Sequence, residues 1–281
     1  MSVEESRYSP KFNSPSADIT FKSSDGVFFR IHRKNLEVCT EGFPPSDVVA
    51  TEDEVVELTE TSTTLELLFQ FIYPQRHPAL DTTPFDILYP LAEASEKYQV
   101  FPAMNICHIR LRDMVQQHPA EISVYAAKHN YPYLVSHVAP MMIGMDPIKV
   151  AQILPPHLIV PWTRYIQEWI RVHRQTTLVL TYNGRCHEDR KICDSRITNE
   201  NAWQIFAFSC MRKLSSGIQT LRALDEVFDV AQDWKVMKDT FVRYELRANA
   251  PVPQCCQNDL AAWRKKIDDA IASIPKFSTF L

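Results

Sequence analysis

Seven cysteines and nine histidines are the side chains of this 281-residue chain best suited to holding a metal or attacking a substrate. Their densest grouping is Cys186-His187-Glu188-Asp189-Arg190-Lys191-Ile192-Cys193, to which Cys255-Cys256 could add thiolates. Structural zinc takes four thiolate or imidazole ligands in a tetrahedron, commonly from closely spaced cysteine pairs. Six residues separate Cys186 from Cys193, and Cys255 and Cys256 are adjacent, so neither pair has the usual spacing. Ordinary reduced cysteines are the simpler reading. Cys186, His187, Cys193, Cys255 and Cys256 stand as the metal alternative, and no cofactor is expected.

Other reactive types fare no better. His32 lies where a strand becomes a helix, and reads as a structural histidine bonded across that junction near Asp18. Cys107 and His108 are neighbours on a helix, so they point about 100° apart and do not face each other. A core cysteine beside a surface histidine is expected there. Glu52-Asp53-Glu54 reads as a solvated acidic loop. No Gly-x-Ser-x-Gly elbow or His-Glu-x-x-His helix occurs. The five glycines, Gly26, Gly42, Gly144, Gly184 and Gly217, are never within ten residues of one another. Phosphate-cradling loops and dinucleotide fingerprints need closely spaced glycines, so both are excluded.

The elements that would position such groups start at Ala17. Ile19 and Phe21 alternate with Thr20 and Lys22, which predicts a strand. Ser24-Asp25-Gly26 is turn chemistry, and Val27, Phe28, Phe29 and Ile31 form the returning strand. Helical spacing begins at His32. Gly42-Phe43-Pro44-Pro45 stops that helix, and Val55 to Leu58 is a further short strand. Leu65, Leu68, Phe69 and Ile72 fall at i, i+3, i+4 and i+7 of a helix that Tyr73-Pro74 ends. Helices then follow near Pro84, Phe101-Pro102, Pro119 and Tyr131.

Composition shifts after Gly144. All five tryptophans, Trp162, Trp169, Trp203, Trp234 and Trp263, lie beyond it. A helix is expected from about His157 to Tyr182, with Trp162 and Trp169 in its core face. Further helices are expected from Asn201, from Ile218 through Met237, and from Asp259 to Ile274. The division read from the sequence is a disordered tail over residues 1–16, an α/β domain over 17–144 and an all-helical region over 145–281.

A net charge of −4 argues against a nucleic-acid platform, and 45% hydrophobic content suits a chain with a real core. No apolar run approaches the ~18 residues of a membrane helix, and the polar N-terminus does not read as a signal peptide. An odd number of dispersed cysteines suits a reducing compartment. The expectation is an intracellular protein, in cytoplasm or nucleus.

The order Asp18-Ile19-Thr20-Phe21, Phe29-Arg30-Ile31-His32-Arg33-Lys34-Asn35-Leu36, Val56-Glu57-Leu58, Leu68 to Tyr73 and Leu91 to Tyr98, with Ala103 to Cys107 after it, resembles a BTB/POZ domain. The resemblance covers about residues 17 to 140. The whole chain is similar to a fungal group in which such a domain precedes a Trp-containing helical tail. The resemblance implies a small sheet flanked by helical hairpins and a role in protein–protein interaction. BTB domains dimerise, bind cullin-type ubiquitin-ligase scaffolds or recruit transcriptional partners, and have no active site to transfer. Where many members carry Ser-x-Tyr-Phe, this chain reads Glu41-Gly42-Phe43-Pro44-Pro45, and its nearest hydrophobic-x-Glu element is Ala50-Thr51-Glu52.

The expected fold class is therefore α/β of the α+β type, mostly helical. The expected function is a non-enzymatic adaptor or scaffold whose partners are proteins, a second copy among them, with no nucleic acid and no membrane. Phe43, Pro44, Pro45, Thr51 and Glu52 are its expected contact residues. The rivals are a metal-binding helical protein or hydrolase, and a regulator acting on DNA. Metal analysis of purified protein separates the first: stoichiometric zinc lost on Cys186→Ser or Cys255→Ser would establish the metal alternative.

Overall fold

The computed structural model describes residues 7–43, 55–178, 202–229 and 254–281. The protein is α+β, mostly helical, with a small mixed sheet. It divides into two compact units, Met1–Met141 and Met142–Leu281.

The sheet of the first unit holds β1 (Arg7–Asn13), β2 (Ile19–Lys22), β3 (Val27–Ile31) and β4 (Val55–Glu57) in the order β1-β3-β2-β4. β2 and β3 form the antiparallel hairpin predicted from their alternation, with Phe21 opposite Phe29. Gly26 closes the turn at φ +82°, a conformation that costs a residue without Cβ little. Asp25 in the same turn accepts from Ser62 N at 2.7 Å and Ser62 Oγ at 2.6 Å, tying the hairpin to the helix that Ser62 opens. β4 runs parallel to β2, and β1 parallel to β3.

Strand β1 corrects the expected tail over residues 1–16. Pro10 stands within the run, and an edge strand tolerates it because its outer donors need no partner. The pairing skips register between Tyr8 and Asn13, and the irregularity turns both Ser9 and Phe12 inward. Phe12 is only 6% exposed. Its ring lies 5.8 Å from Phe69 and 6.3 Å from Phe29. On the sheet's other face, Tyr8 packs on Phe28, and the Arg30 guanidinium lies 4.8 Å from the Tyr8 ring.

The helices of this unit are α1 (Arg33–Cys39), α2 (Ser62–Gln70), α3 (Phe85–Lys97), α4 (Phe101–Asp113), α5 (Pro119–Lys128) and α6 (Pro132–Val138). Thr61 caps α2, accepting from Thr64 N. Prolines near the first turn open α4, α5 and α6, where a missing N–H costs nothing. The buried stripes follow helical spacing: Leu65, Leu68 and Phe69 on α2, Leu88, Leu91, Ala92 and Ser95 on α3, Ala103, Cys107 and Leu111 on α4. Ile109 of the same helix is half exposed.

The second unit holds α7 (Pro147–Ile153), α8 (Pro156–Leu178), α9 (Ala202–Leu214), α10 (Leu224–Phe228) and α11 (Gln254–Ala272), with 3-10 turns at Ile218–Arg222 and Phe277–Thr279. Trp162 and Trp169 are buried, as expected of core, and so is Trp263. The Phe277 ring closes on Trp162 and Tyr165 at 6.2 Å and 5.5 Å. The single helix predicted from Ile218 is broken: Ala223 leaves helical backbone at φ −123°, ψ 44° and separates the 3-10 turn from α10. Lys213 Nζ donates to the carbonyls of Glu226 and Asp229, closing the C-terminal end of α10. Ala231, Trp234 and Met237 lie outside the described residues. Among the described residues no helix is long and apolar enough to cross a membrane.

Two substitutions test this packing. Phe12→Ala should cost about 3–5 kcal/mol in urea denaturation, the loss typical of a buried aromatic ring; a change within error would return β1 to a tail. Gly42→Ala should cost about 1–3 kcal/mol, since its Cβ would sit 2.5 Å from the Tyr98 backbone, which cannot step aside.

Candidate functional site

The expected site residues scatter. Phe43, read as a contact residue, is a correction: it is only 8% exposed. It stacks flat on Tyr98 with ring centroids 4.5 Å apart and contacts Phe21 at 5.3 Å. An aromatic ring gains more from that burial than from water, and Gly42 makes it possible by bringing the chain against Tyr98, to whose carbonyl the Gly42 amide donates at 3.1 Å. Pro44, Pro45, Thr51 and Glu52 lie outside the described residues, as do Cys186, His187 and Cys193. Cys255 and Cys256 occupy the first turn of α11, Cys256 buried and Cys255 half-buried. Among the described residues no group of three or more His, Cys, Asp or Glu side chains is placed to hold a metal ion.

His32 is built into the strand–helix junction. Its Nδ1 lies 2.9 Å from the Tyr73 hydroxyl and its Nε2 3.0 Å from Ser16 Oγ. Asp18 Oδ1 accepts from Arg33 N at 2.7 Å, capping α1. Both residues thus clasp the segment 14–18, which joins β1 to β2 past the end of β3.

Cys107 is fully buried, and its thiol is pushed up to about 12, first by burial and then by Glu96, against a Ser95 hydrogen bond. A thiol held protonated is no nucleophile. His108, expected at the surface, is half-buried against Tyr131, with ring centroids 4.7 Å apart and its Nδ1 enclosed without a partner.

What the sequence reading missed is the polar node around Glu96. Its Oε1 accepts from Tyr125 OH at 2.7 Å and Tyr131 OH at 2.6 Å. Burial, reinforced by Glu96, pushes both phenols up. One turn earlier on α3, Glu93 takes Lys128 and, at 3.1 Å, His129 Nε2. Burial disfavours the charged Glu93, but hydrogen bonds from Lys128 and His129 outweigh it and hold the carboxyl low. Glu60 behaves alike: burial is overcome by hydrogen bonds from Lys97, Tyr98 and Thr59. These carboxyls fasten α3 to α5, α6 and the loop before α2. The only legible signal was the i, i+3 spacing of Glu93 and Glu96 on α3. Their partners lie some thirty residues away in sequence.

Between α2 and α3 runs an open groove of about 860 Å³, floored by Ile87, Pro90 and Ala94 and rimmed by Thr59, Thr61 and Thr63. A second hollow of about 430 Å³ continues it past Leu67 and Thr83, sharing Thr63 and Ile87. Lys97 and Lys128 stand at the far wall, each paired to a glutamate. An open groove with threonine hydroxyls in its lining suits a segment of chain better than a small molecule, which pockets enclose.

Compared with known proteins, the chain matches no protein-family model and no curated sequence at a significant level.

Two outcomes are expected. Tyr125→Phe should cost about 1–3 kcal/mol, the worth of a buried hydrogen bond to a carboxyl group, read by urea denaturation. The second concerns His108. Burial, then Arg112, hold its imidazole below the usual range, against the pull of Glu96. A histidine kept neutral by the fold contributes stability that is complete above about pH 6.5 and lost as pH falls below that value. The melting temperature should drop between about pH 7.5 and about pH 5.5, above the carboxylate range, and His108→Phe should shrink the drop. An equal drop in the variant would count against this assignment.

Proposed function

We propose that the chain is a non-enzymatic protein-interaction module, an adaptor or scaffold of the BTB/POZ type, working inside the cell in cytoplasm or nucleus. The observation that carries the reading is the α2–α3 trough: an open surface lined by both apolar and hydrogen-bonding side chains, on a unit whose buried ionisable groups hold helices together. The ordered motifs that resemble a BTB domain supply β2, β3, α1, β4, α2, α3 and the start of α4 in succession. The odd cysteine count and the balanced charge agree with an intracellular protein partner. The partner is another protein or a second copy; a cullin-type scaffold enters only through the BTB resemblance, and the weak Ala50-Thr51-Glu52 element gives it little support. Fold-level analogy is an associational warrant, so the test has to be a binding measurement.

The chain purified from its native source with an affinity tag should bring down a stoichiometric partner or, alone, scatter light with a mass above the monomer's 32.5 kDa. A Thr63→Trp variant, which fills the trough from an exposed position, should lose that partner while keeping its melting temperature. A folded chain that stays at the monomer mass and recovers nothing stoichiometric defeats the reading.

A further inference from the structure

We draw no further inference here: the strongest candidate, the outer face of the sheet where Tyr8 packs on Phe28 beside Arg30 and Lys22, has its cations already engaged, Arg30 on the Tyr8 ring and Lys22 with Glu57, and nothing in the structure shows what covers it.

Discussion

The first unit is assembled on one ring. Phe69 of α2 meets Phe12 of β1, Phe21 of β2, Phe29 of β3 and Phe43 beyond α1, with centroid separations between 5.5 Å and 6.4 Å. The sheet is too small to bury itself, and a short sheet is stable only when its apolar face is covered. Phe69 supplies that cover and is itself fully buried. The rest of the hub extends outward: Phe43 passes the contact to Tyr98 at the end of α3, and Phe12 passes it to Tyr73, the partner of His32. Sheet, α2 and α3 are thus one aromatic cluster.

Around that cluster, carboxylates act as fasteners. Asp25 binds the β2–β3 turn to α2, Asp18 caps α1, Glu60 joins the loop before α2 to the end of α3, and Glu96 gathers two tyrosines from α5 and its junction with α6. Each accepts hydrogen bonds from backbone or side-chain donors; for the half-buried Glu60 and Glu96 that is what makes burial tolerable, while Asp18 and Asp25 act at the surface.

How much of this could be read from the chain depended on the range of the interaction. The hairpin, the stripes of α2 and α3 and the proline-opened helices follow from periods of two and 3.6 residues, and they lie where the sequence puts them. The buried Trp162 and Trp169 follow from the same spacing. Strand β1 was illegible because Arg7 to Asn13 has polar composition and a central proline; only its neighbour β3, with a β-strand and a turn between them in sequence, makes it a strand. Phe43 was misjudged for a related reason. Prolines follow it and suggested an exposed loop, but its ring is claimed by Tyr98, fifty-five residues on. His108 shows the limit of reasoning about neighbours. Its angle from Cys107 was right, yet Tyr131 covers the face that should have been open.

The sequence by itself determined the fold class: α+β elements in a set order followed by helices, with no phosphate-cradling loop and no Gly-x-Ser-x-Gly elbow. These rest on local periodicity, turn chemistry and glycine spacing, all of which act within a few residues. Only the tertiary structure decided which polar groups are used up and which are left. Glu60, Glu93, Glu96 and Asp86 look alike in sequence, and nothing local marks Phe12 and Phe43 as core. Their fates are decided in the fold because burial and hydrogen-bond satisfaction are properties of the partners that folding brings near. Those partners come from distant parts of the chain: Lys97, Lys128, Tyr125 and Tyr131 for the glutamates, Phe69 and Tyr98 for the rings, and none for Asp86 among the described residues.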